Sequence, residues 1–96
     1  MAIKIPVGEW RAHYTPLGAI EHALRRVAEN TGAGAWDGHH ADNRSRVVTM
    51  FLRGPDVDRL FAAVEGVLKA FALPPRSLAI KRYGPAGSRE AQVLLR

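Results

Sequence analysis

The stretch RVVTMFLR at residues 46–53, running into GPDVDRLFAAVEGVLKAF at 54–71, decides the fold. In its first part Val48, Met50 and Leu52 alternate with Val47, Thr49, Phe51 and Arg53, the period of two expected of a strand with one side in a core. In its second part the period changes, and Val57, Leu60, Phe61, Val64, Val67, Leu68 and Phe71 recur at helical spacing. Gly54-Pro55-Asp56 marks the change as a helix start, with Asp56 and Asp58 complementing the positive end of the helix dipole. Pro74-Pro75 is expected to stop that helix.

Working outward, Ile3, Ile5 and Val7 alternate with Ala2, Lys4 and Pro6 and predict a first strand, with Pro6 marking a strand end or edge. Thr15-Pro16 reads as a helix start, because the threonine oxygen can accept an orphan amide and proline at the first helical position loses nothing. Leu17, Ile20, Ala23, Leu24, Val27 and Ala28 form that helix's apolar face, and Asn30-Thr31-Gly32 ends it. Ala35 to Gly38 predicts a short second strand, paired as a hairpin with 46–53 across a polar turn at Ala41 to Ser45. Beyond the second helix, Ser77 to Tyr83 and Glu90 to Leu95 predict two more strands, joined through Gly84-Pro85-Ala86-Gly87.

The order is βαββαβ with an extra C-terminal strand. It predicts an α+β, ferredoxin-like split βαβ domain over residues 1–96, with two helices on one face of an antiparallel sheet. If Ile3, Ile5, Val48, Met50, Leu52, Leu78 and Ile80 meet the helices, alternation sends Lys4, Thr49, Phe51, Arg53, Lys81 and Tyr83 to the open face. Bases beside aromatics invite comparison with RNA-recognition domains of this topology, which stack bases on the first and third strands. Here the corresponding positions on the first strand are Lys4 and Pro6, and residues 46–53 lack the glycine and aromatic spacing that such a site needs.

The 96 residues suit a single domain, and 47% hydrophobic with 24% charged residues matches an ordinary globular chain. There is no cysteine, which excludes disulfides, thiolate metal sites and thiol nucleophiles. The net charge of +5 is uneven, because residues 44–96 carry ten Lys/Arg against four Asp/Glu. Such an imbalance can steer the chain toward an acidic protein, RNA or another anion. Pro6, Gly8 and Glu9 interrupt what would be the apolar core of a leader, and no run approaches a membrane span, so a cytoplasmic protein without membrane contact is expected.

Asp37, His39, His40 and Asp42 form the one cluster with metal-capable side chains. Adjacent strand residues face opposite ways, leaving Asp37 with His39 as the reasonable pair, and two ligands make a weak site; a polar hairpin is the simpler account. His13 and His22 read as surface residues. No nucleophile elbow or glycine-rich phosphate loop is present, and Arg11 lacks the glycine-rich surroundings of an acylphosphatase-type phosphate loop. Neither catalysis nor a cofactor is expected.

Trp36-Asp37-Gly38, Gly54 to Phe61 and Arg82-Tyr83-Gly84-Pro85 resemble a set of small bacterial proteins of unknown function with a DG hairpin, a YGPDAD-LF-like helix start and an RYGP turn. The resemblance covers about residues 34 to 96 and implies no established activity. By size and style, some proteins of this kind look like immunity partners of bacterial toxins. The expected role is therefore protein contact or self-association through the open sheet face, with Trp36, Phe51 and Tyr83 supplying apolar surface and Arg53, Lys81 and Arg82 charge. The alternative is an RNA- or anion-binding domain using the basic second half.

Overall fold

A computed structural model describes residues 1–7 and 16–96. Its elements are β1 (Ala2–Pro6), α1 (Leu17–Thr31), β2 (Ala35–Asp42), β3 (Val47–Arg53), α2 (Val57–Ala70), β4 (Leu78–Arg82) and β5 (Glu90–Leu94). The strands form one sheet in the order β2-β3-β1-β4-β5, every neighbouring pair antiparallel. This is the ferredoxin-like arrangement with an added edge strand, and β1 lies at its centre.

Register fixes the faces. Ile3 stands opposite Met50, and Ile5 opposite Val48. These four residues and Leu52 are buried with Ile20, Leu24 and Ala28 of α1 and Leu60, Phe61, Val64 and Leu68 of α2. Both helices therefore cover the same side of the sheet, and their apolar stripes close the core against it. Such burial of Leu, Ile and Phe contributes roughly 1.5–3 kcal/mol per side chain.

The helix ends follow local chemistry. Asp56 caps α2, its carboxylate accepting from the Asp58 and Arg59 amides at 3.1 Å each. Gly32 ends α1 at φ 67°, the left-handed conformation that glycine adopts without a Cβ penalty. The expected Thr15 cap lies outside the described residues; Pro16 holds the cap position of α1 and makes no side-chain bond. The second helix stops at Ala70, ahead of Pro74-Pro75, because Phe71 is already extended at φ −92°, ψ 139°.

Two expectations need correction. β2 runs on to Asp42, because the turn sits later. Asp42 Oδ1 accepts the Arg44 amide at 2.9 Å, and Arg46, at φ 56°, donates its amide to the Asp42 carbonyl. Gly38 lies within β2, where the register shifts between Trp36 and His39, so Asp37-Gly38 forms a bulge inside the strand.

β4 also departs from the expected phase. Ala79 stands opposite Ile3, so Ser77, Ala79, Lys81 and Tyr83 share the helix-covered side, and Leu78, Ile80 and Arg82 take the open face. The phase is one residue away from that expected. Its cause lies upstream: Arg76 adopts φ 70°, and Ser77 enters the core fully buried, its hydroxyl donating to the Pro74 carbonyl at 2.8 Å.

Candidate functional site

The helix-free face is built from register rows. One row crosses Leu94, Leu78, Lys4, Thr49 and His40; the next crosses Gln92, Ile80, Ala2 and Phe51. Among the described residues, Leu94 and Phe51 are the exposed large hydrophobic residues, at 70% and 38%. They bracket a band completed by the half-buried Leu78, Ile80 and Ala2. At one end of the band a depression of about 160 Å³ is lined by Asp37, Phe51, Arg53, Ile80, Arg82 and Glu90, among others.

Around the strand ends, a second cavity of about 520 Å³ is bordered by Met1, Arg53, Gly54, Asp56, Arg82 and Tyr83, among others. Arg82 Nε donates to the Gly84 carbonyl at 3.0 Å, which orients its guanidinium. Among the described residues, neither Arg53 nor Arg82 has a carboxylate within 4 Å. The Met1 ammonium donates to the Leu52 carbonyl at 2.8 Å. Its burial lowers the pKa, nearby Arg82 lowers it further, and Asp37 opposes both.

Of the six expected contact residues, the face brings together Phe51, Arg53 and Arg82. The other three lie on the helix-covered side. Trp36 pairs with Leu52 and packs against the core edge, with the Arg25 guanidinium 5.5 Å above its ring. Lys81 donates to Asp58 Oδ1 at 2.9 Å, and its ammonium lies 5.3 Å from the Phe61 ring centre. The Tyr83 hydroxyl donates to the same carboxylate oxygen at 2.7 Å while Arg89 stacks 4.2 Å from its ring centre. These hydrogen bonds, Lys81's first, hold the Asp58 carboxyl below its ordinary range, and the Asp58 bond raises Lys81. The trio fastens the first turn of α2 to β4.

Sequence reasoning missed Leu78, Ile80 and Leu94 as surface residues. The signal was in β5, where Ala91, Val93 and Leu95 alternate with Glu90, Gln92 and Leu94. With the register known, that alternation assigns Ala79 and Lys81 inward.

The bulge separates the expected metal pair. Asp37 lines the depression on the helix-free face, whereas His39 stands opposite Met50 on the helix side, with Nδ1 3.4 Å from Glu21. His40 takes the helix-free face opposite Thr49, and the Asp42 carboxylate serves the turn, whose amides hold its pKa low. Among the described residues no three histidine, aspartate or glutamate side chains gather as a metal site. Nor is any described helix long and apolar enough to cross a membrane.

No protein family, no curated protein and no solved structure matches the chain.

Proposed function

We propose that this chain is a non-enzymatic protein-interaction domain whose helix-free sheet face docks a protein surface, a second copy of the chain being the favoured occupant. The observation that carries this is the apolar band from Phe51 through Ala2 and Ile80 to Leu78 and Leu94, left in water on one side of the sheet. Contiguous apolar surface of this kind is costly unless something covers it. Lys4, Arg53 and Arg82 share the face with Asp37 and Glu90, so it presents both signs of charge and can complement itself.

Phe51→Ser combined with Ile80→Ser tests the reading. The double variant is expected to lose self-association by sedimentation velocity while keeping the wild-type circular dichroism. Unchanged sedimentation would reject the surface.

A second reading draws on Arg53 and Arg82, which border one cavity and have no carboxylate partner among the described residues. On it the domain binds RNA or another polyanion. Phosphate contacts release counterions, so RNA affinity would then fall steeply with salt. Flat, weak binding across a salt titration removes that reading.

A further inference from the structure

The sheet has two outer edges, and they differ in kind. The β2 edge is interrupted by the bulge between Trp36 and His39 and carries Asp37, His39, His40 and Asp42, features that discourage strand addition. The β5 edge is regular. Its pairing with β4 runs unshifted from Arg82↔Glu90 to Leu78↔Leu94, and its sequence EAQVL holds no proline and a single charged residue, Glu90, at its start. Tyr83 donates its amide to the Arg89 carbonyl, and Leu95 donates its amide to the Ser77 carbonyl. Odd-numbered residues therefore bond inward to β4, and alternation turns the N–H and C=O groups of Glu90, Gln92 and Leu94 outward.

We infer that β5 pairs antiparallel with β5 of a second copy about a two-fold axis at Gln92, joining two sheets into one of ten strands. This rests on the reading that the chain associates with a second copy, and it places the contact at the β5 edge, not over the helix-free face. The register that overlaps the whole strand is its own two-fold partner: Gln92 faces Gln92 of the second copy, and Glu90 faces Leu94. All the outward groups then find partners, giving about six interchain hydrogen bonds. On the helix-covered side Ala91 meets Val93, which already packs against the core, so the apolar layer continues across the seam. On the other side the two Gln92 amides meet at the axis. Strand pairing alone buries little beside the roughly 1,200–2,000 Å² of stable interfaces, so the dimer dissociates on dilution.

The chain has no cysteine of its own, so a single introduced thiol reports on one position. Under mild oxidation Gln92→Cys should form a covalent dimer at least about tenfold faster than Glu90→Cys, Leu94→Cys or His40→Cys, because only position 92 faces itself at bridging distance. Gln92→Pro removes an outward N–H and no bond to β4; it should give a monomer that melts cooperatively. Fastest crosslinking at position 40, or a dimer that survives Gln92→Pro, overturns the seam. If the Phe51→Ser, Ile80→Ser protein is monomeric while Gln92→Pro remains dimeric, the seam fails and the face reading stands. If Gln92→Pro is monomeric and the double variant dimeric, the seam stands and the face reading fails. A wild-type chain that stays monomeric at every concentration overturns both.

Discussion

Lys81 Nζ lies 2.9 Å from Asp58 Oδ1, with the lysine side chain 17% exposed and the aspartate 60%. The lysine stem is sheltered beneath α2 while its charge emerges at the helix's first turn, the usual compromise for a long cationic side chain beside a core. With Tyr83 on the same oxygen, the contact ties a helix start to a strand end across 23 residues of chain.

This contact predicts a specific acid response. Asp58 titrates below its ordinary 3.8 in the folded chain, chiefly through the Lys81 hydrogen bond and then that of Tyr83. Its contribution is therefore complete above the unfolded value and is lost as pH falls through the lower folded value. Asp58→Asn should melt below the wild type at neutral pH and change less as pH drops under 3.8, with a small effect because the carboxylate is mostly exposed. Thermal unfolding followed by circular dichroism between neutral and acid pH checks this; parallel acid limbs would refute it.

A different constraint acts where two backbone segments meet. A Cβ on Gly34 would collide with the Arg53 carbonyl oxygen and come within 3.0 Å of Leu60 Cδ1; one on Gly54 would collide with the Ala33 carbonyl oxygen. Neither position has a positive φ, so the requirement is close approach and not backbone conformation. Gly34→Ala and Gly54→Ala should each destabilise the domain by about 1–3 kcal/mol, as overpacking does. Urea denaturation with an unchanged m-value would confirm it, and wild-type midpoints would refute it.

These cases show what the sequence made legible. The layers followed from periodicity, because Val48, Met50 and Leu52 and the stripe from Val57 to Phe71 can be buried only on one side of a sheet. The cap at Asp56 and the end at Gly32 were legible as local chemistry. The phase of β4 was not, because LAIKR alternates two larger apolar residues against a small one and a lysine. What reversed it lay outside the strand's own alternation: a left-handed Arg76 and a buried Ser77 satisfied by Pro74 just before it, and an aspartate on α2 able to receive Lys81 and Tyr83. The bulge at Asp37-Gly38 was hidden for a related reason, since a glycine in a weakly patterned strand signals a turn as readily as a bulge. Half the expected contact residues consequently sit on the covered side, although the open face itself was correctly anticipated.

The α2 cap gives a prediction that rests on local hydrogen bonds. Asp56 accepts two amides that would otherwise lack partners at the helix start. Asp56→Ala should lower stability by about 0.5–2 kcal/mol, and Asp56→Ser should recover most of that loss. Equal stability of the Ala and Ser variants in urea denaturation would show that the cap contributes nothing.

Two phenylalanines separate folding from docking. Phe61 belongs to the buried cluster, whereas Phe51 is 38% exposed on the helix-free face. Removing the Phe61 ring leaves a cavity beneath α2, so Phe61→Ala should cost about 3–5 kcal/mol and lower the melting temperature markedly. Phe51→Ala should change monomer stability by about 1 kcal/mol or less, because its ring still meets water in the monomer. If the face docks a second copy, the same substitution should weaken the dimer, and sedimentation at increasing concentration would show the shift toward monomer. The two variants therefore fail in opposite assays. A Phe51→Ala protein that unfolds as easily as Phe61→Ala would mean that the ring is structural and that the face is not an interface.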